Sequence, residues 1–159
     1  MKNIFRLIDA ICYTYDNPIF KPTKDDPSTP QNESVTWCNK AVNEVATALG
    51  YTKFKGKLAN EIIDLLEKEC ETREWEKVEI GFSCVRVNEG NLVVAGLKNP
   101  GGHGHVCIVR PGNPDYSPKW NCGVPKVMNI GTDVFIDSNL AWAFGGKPNV
   151  YVWNGPSEN

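Results

Sequence analysis

The chain lacks any stretch approaching the roughly 18 uninterrupted apolar residues that a membrane-spanning helix needs. It also lacks a concentrated positive face, because its 17 lysines and arginines are scattered among 19 acidic residues for a formal charge of −2. That argues against nucleic-acid binding, which relies on clustered basic side chains to engage phosphates. Six cysteines are present without a single Cys-x-x-Cys pair. Their spacing therefore speaks against a zinc ribbon and against a thioredoxin-like redox site. Histidine is scarce, with only His103 and His105. There is no internal repeat and no low-complexity segment. At the N-terminus, Arg6 and Asp9 interrupt the apolar residues of MKNIFRLIDAICYTYDN. A secretory signal would show a continuous apolar region there, so the expectation is a protein that stays in the compartment where it is made.

What is present suits one domain. The 159 residues, 41% of them hydrophobic, suffice for one sizeable core and leave no room for a separate cofactor domain. Ile4, Leu7, Ile8 and Ile11 follow helical spacing and predict a first amphipathic helix. Pro18 to Ser34 holds four prolines among polar residues and reads as a surface loop. From Cys38, apolar residues recur at Ala41, Val42, Val45, Ala46 and Leu49 before Gly50, which predicts a helix over 38–49. A further helix is expected from Leu58 to about Cys70, with Ile62, Leu65 and Leu66 inward and Asp64, Glu67 and Lys68 outward. Beyond Trp75 the runs 92–97 and 106–109 read as adjacent strands around the loop Asn99 to Gly104. Lys126 to Ile130 and Val150 to Trp153 are further strands, the latter followed by a frayed Gly155-Pro156 tail. Residues 82–90 suit either a strand or a short helix. Helices first and antiparallel strands second is an α+β pattern: N-terminal helices packed on a C-terminal antiparallel sheet, in a single domain spanning 1–159.

Two positions carry chemistry. A cysteine in the first turn of a helix sits where unsatisfied backbone N–H groups and the helix dipole favour an anion, so Cys38 is placed to ionise. The same N–H groups can hold the oxyanion formed when a thiolate attacks a carbonyl. His105 immediately precedes an apolar strand, and a base at the start of a rigid strand is well placed for general-base work. His103, two residues earlier in a glycine-rich loop, reads as a solvated side chain. The His-x-His spacing also admits a zinc site completed by Cys38 or Cys122, although no carboxylate is evidently placed to join it.

The order and spacing of a helix-starting Cys38, the segment Leu92-Val93-Val94-Ala95-Gly96-Leu97-Lys98 and then Gly104-His105-Val106 resemble the NlpC-type and CHAP-type papain-like cysteine hydrolases of bacterial peptidoglycan. Within that class the chain also resembles the type VI secretion amidase effectors. The similarity runs from about Trp37 to Cys122, and more loosely to Tyr151 in a last strand. Around the nucleophile the chain has Trp37-Cys38-Asn39-Lys40-Ala41, where many NlpC-type enzymes have Asp-Cys-Ser-Gly-Phe. The resemblance implies a papain-like fold, Cys38 as nucleophile, His105 as base and a peptidoglycan stem peptide as substrate. It also implies no metal or organic cofactor, a monomer, and as partners a cognate immunity protein or secretion machinery. In such enzymes a third polar residue orients the histidine; Asn129 is best placed, with Asp115 and Asp133 as other candidates. Because peptidoglycan lies outside the cytoplasmic membrane, delivery by such machinery to the extracellular space or a target cell's periplasm is the expectation. The alternative is a non-catalytic binding or structural module on the same fold.

The other cysteines read more plainly. Cys107 falls inside a strand and is expected in the core, while Cys12, Cys70, Cys84 and Cys122 are either free or paired in an oxidising compartment. Trp37, Trp120 and Trp142 are candidates for a substrate groove, weighed against the commoner packing role of tryptophan.

Overall fold

A computed structural model describes residues 3–20 and 37–155. Helix α1 spans Ile4–Asp16, and Asn3 caps it by accepting the Phe5 and Arg6 backbone N–H groups at 3.0 and 3.3 Å. Leu7, Ala10, Ile11 and Thr14 form its buried stripe. Ile8, expected inward, is 38% exposed because it lies about 100° around the helix from Leu7. Pro18–Phe20 form one 3₁₀ turn, a departure from the loop expected there. The rest of that loop, from residue 21 to 34, and the tail from Pro156 lie outside the described residues.

Helix α2 covers Cys38–Ala48, with Ala41, Val42, Val45 and Ala46 buried. It stops where Gly50 adopts φ +101, a conformation costly for any residue with a Cβ, and the Tyr51 N–H returns to the Ala46 carbonyl at 2.9 Å. The Arg6 guanidinium donates to the Ala48 carbonyl at 2.9 Å, tying the end of α2 to α1. Helix α3 covers Ala59–Glu71 and begins with the Glu61 carboxylate accepting the Leu58 N–H at 2.9 Å. Ile62, Ile63 and Leu66 are buried, whereas Leu65 is only partly covered.

These helices pack on a five-stranded sheet. Its strands are β1 (Trp75–Val78), β2 (Val93–Leu97), β3 (His105–Val109), β6 (Val127–Met128) and β7 (Asn149–Trp153), in the order β1-β7-β2-β3-β6. Every pairing is antiparallel, and Leu97 faces His105 while Val94 faces Ile108 in the β2–β3 register. A separate hairpin joins β4 (Asp115–Ser117) to β5 (Cys122–Val124). Val93, Val94 and Ala95 are buried consecutively, as are Val106 to Val109 and Val150 to Val152, so the central strands are covered on both faces. α3 packs closely over Gly96: a Cβ there would stand 2.8 Å from Cγ1 of Ile63.

Residues 82–90, ambiguous between strand and helix, fall in helix α4 (Ile80–Asn88), which ends at Gly90 with φ +92. Ile80, Ser83, Cys84 and Val87 are its buried positions, a helical period that the β-branched Val85 and Val87 disguise in the sequence. With β1 and α4 falling between α3 and β2, the helices-first order holds only in outline. The strand expected over Lys126 to Ile130 is shortened to Val127–Met128, because Asn129 pairs instead with Phe135. Helix α5 is a single turn, Leu140–Ala143. Among the described residues no helix is long and apolar enough to cross a membrane.

Candidate active site

Cys38 is the first residue of α2, and Trp37 before it offers no side-chain cap. The first intrahelical bond is Ala41 N–H to the Trp37 carbonyl at 3.0 Å. The N–H groups of Cys38, Asn39 and Lys40 therefore have no acceptor within the helix. Asn39 fixes this turn by donating its side-chain amide to the Lys57 carbonyl at 2.8 Å. Cys38 itself is 1% exposed. It lies at the floor of the site rather than on the surface, because α2 packs directly against β3.

His105 opens β3, paired with Leu97, and its ring is hydrogen-bonded to Cys38 on one side and Asn129 on the other. Its Nε2 lies 2.6 Å from Oδ1 of Asn129. The Asn129 amide is oriented by its own donor, since Nδ2 donates to the Asp133 carbonyl at 2.8 Å. Oδ1 is thereby turned to the ring as an acceptor, which assigns the proton to Nε2 and leaves Nδ1 for the thiol. The Asn129 backbone is held as well, exchanging N–H to O bonds with Phe135 at 2.8 and 3.1 Å. Asn129 is 3% exposed, so this is a buried orienting group and not an outward strand residue.

The ring's surroundings set its charge. Burial disfavours the protonated imidazole. The hydrogen bond and negative charge offered by Cys38, with the hydrogen bond to Asn129, outweigh that cost and raise the His105 pKa above the ordinary imidazole value. Phe144 stands with its ring centroid 5.0 Å from that of His105, tilted by 56°. Gly131 leaves the Cε1 edge clear: a Cβ there would come within 3.3 Å. Cys107, two residues along β3, is wholly buried as expected, and burial pushes its thiol pKa well up, with the nearby Cys38 adding to the shift.

The other candidates fall elsewhere. Asp115 accepts from Lys126 Nζ at 2.7 Å and Asn139 Nδ2 at 3.2 Å, which fastens β4 to the start of α5. Asp133 serves Asn129 through its backbone carbonyl, and its side chain is exposed. His103 is exposed in the loop before β3. The alternative zinc set is not assembled: among the described residues no three His, Cys, Asp or Glu side chains group as a metal ion would require. None of the six cysteines forms a disulfide. Trp37 and Trp120 are partly buried against the core, whereas Trp142 is 74% exposed.

Three contributors escaped the sequence reading. Phe144 and Gly131 carry no local signal that links them to a histidine distant in the chain. Asn60, in the first turn of α3, donates to the carbonyls of Asn99 and Gly102 at 2.8 and 3.1 Å and accepts the Asn99 N–H at 3.0 Å. It thereby staples the glycine loop that delivers His105 into β3. The chain matches no protein-family model and none of the curated proteins.

Proposed function

We propose that this protein is a papain-like cysteine amidase that cuts a stem-peptide amide bond of peptidoglycan. The observation that carries the reading is the imidazole of His105 bridging a helix-starting thiol and a buried, backbone-anchored asparagine amide. A nucleophile, a base within hydrogen-bond reach and a third group orienting that base are the parts required for nucleophilic acyl transfer.

The Cys38 thiolate attacks the amide carbonyl carbon and forms a C–S bond. The resulting oxyanion is met by the first-turn N–H groups of α2. His105, protonated, gives its Nδ1 proton to the leaving amine as the C–N bond breaks. Water then adds to the thioester, His105 takes a proton from it, and the thiolate leaves with release of the carboxylate product. No residue in this sequence of steps is asked to hold a metal. Peptidoglycan, rather than another amide, rests on the resemblance to the NlpC-type and type VI amidases. On that reading the reaction lies outside the cytoplasmic membrane, with delivery by secretion machinery and an immunity protein as partner.

The test is mass analysis of purified sacculi incubated with wild-type protein and with Cys38→Ala. New amine and carboxylate termini at one stem-peptide bond, made only by the wild type, are expected. The alternative of a non-catalytic module takes some support from the burial of Cys38. It would prevail if sacculi stayed intact and a small alkylating agent failed to label Cys38 at neutral pH.

A further inference from the structure

The five tryptophans do not share one environment. Trp75 and Trp153 are buried in the aromatic cluster around Tyr51. Trp120 is partly buried, with Lys119 Nζ 5.5 Å from its ring centroid. Trp37 is partly buried and covered on one face by the Lys40 ammonium at 3.9 Å. Trp142 stands apart at 74% exposure.

Its mount is rigid. Asn139 caps α5 by accepting the Ala141 N–H at 3.0 Å and is itself tied to Asp115 at 3.2 Å. Leu140 is fully buried, and its N–H donates to the Pro125 carbonyl at 2.9 Å. On the other side of Trp142, Phe144 is buried beside the His105 ring, and the Lys119 ammonium holds the Gly145 carbonyl at 3.1 Å. Trp142 is two residues from Phe144, so its Cα lies within about 7 Å of the Phe144 Cα. A fixed backbone thus holds an exposed indole two residues from the Phe144 ring that packs beside His105.

We propose that Trp142 is a substrate-binding residue that stacks on a sugar ring of the glycan flanking the scissile amide. This rests on the amidase reading above. The indole offers a broad flat apolar face with few rotatable bonds, so contact costs little conformational entropy. Its one N–H donor suits a hydroxyl-bearing rim. A pyranose ring has the complementary shape, an apolar C–H face edged by hydroxyls. An extended peptide offers no such disc.

The experiment uses Cys38→Ala protein, which binds without turnover, carrying either Trp142 or Trp142→Ala. Calorimetry measures binding of two probes: soluble peptide-free glycan strands of N-acetylated amino sugars, and the free stem peptide. Trp142→Ala is expected to weaken glycan binding about tenfold or more, the size of effect typical for truncating an aromatic anchor, and to leave peptide binding unchanged. Trp142→Phe, which keeps an aromatic face, should retain part of the glycan affinity. Equal weakening for both probes, no weakening for glycan, or no glycan binding by the Trp142-containing protein would overturn the proposal. If wild-type protein binds glycan through Trp142 and yet cuts no stem peptide in sacculi, the amidase reading fails and the sugar platform stands.

Discussion

Nε2 of His105 lies 2.6 Å from Oδ1 of Asn129, and the asparagine amide cannot turn over without breaking its bond to the Asp133 carbonyl. One side chain therefore fixes both the tautomer and the tilt of the other. Asn129 thus acts on the ring from the Nε2 side, while its own amide is held by Asp133.

Replacing Asn129 with alanine should lower kcat while leaving KM nearly constant, as removal of an orienting group does. The loss should be smaller than that from deleting His105, and a rough range of 10- to 100-fold sits below what a general acid–base group supplies. Steady-state kinetics on a soluble muropeptide checks this. A rise in KM with kcat intact would assign Asn129 to substrate binding.

Cys38 and the two histidines should separate cleanly on the proposed mechanism. Cys38→Ala and His105→Ala are expected to lose activity by at least about 10³-fold, since residues acting as a unit fail together. His103→Ala, altering only an exposed loop side chain, should stay within a few-fold of wild type. Because Cys38 is buried, its alanine variant should also unfold more easily, by about 1 kcal/mol for a one-atom cavity. Circular dichroism melts distinguish that small cost from loss of the fold. Equal activity losses for His103→Ala and His105→Ala would contradict the assignment.

Titration supplies an independent check. The His105 pKa is raised in the folded protein because the influence of Cys38 and Asn129 exceeds the opposing effect of burial. The stabilising contribution of its charge is fully present below the ordinary imidazole value and is lost as pH rises through the raised folded value. The proposed amidase activity should fall on the alkaline side through the same raised pKa, as the imidazolium loses its proton. In Cys38→Ala the chief opposing influence is gone and burial remains, so the ring should titrate lower than in wild type. With only two histidines, NMR of the ring protons reads this directly. An unchanged His105 titration in Cys38→Ala would show that the thiol and ring do not interact.

Much of the scaffold was legible before the structure, and for a physical reason. The helices over Cys38–Ala48 and Ala59–Glu71 and the β2–β3 pair have strong periodicity or continuous β-branched runs, bounded by glycine. Cys38 and His105 could be singled out from their places at the start of a helix and the start of a strand, and Asn129 as the third polar residue that the resemblance implies. Helix α4 was ambiguous because Cys84, Val85 and Val87 have a composition that also suits a strand. The burial of Cys38 was missed because it depends on how α2 seats against β3, a contact between segments far apart in the chain. The placement of Phe144 depends in the same way on the chain returning to His105.

Gly104 is a position where sequence and site meet most tightly. Its Cβ, if present, would fall on the side-chain oxygen of Asn60 and within 3.2 Å of the Leu97 carbonyl. Asn60 cannot move aside freely, because its amide holds Asn99 and Gly102 through three hydrogen bonds at 2.8 to 3.1 Å. Gly104→Ala must therefore break that staple or displace the start of β3, and should destabilise the fold by about 1–3 kcal/mol, the usual range for overpacking. Asn60→Ala removes the obstacle and also the staple, so it carries its own cost. Since both changes act on the same loop, the double variant should lose less than the sum of the two single losses. Chemical denaturation of the four proteins measures this coupling. Strictly additive losses would mean that Asn60 and Gly104 act independently, and that the loop before His105 is held by the sheet alone.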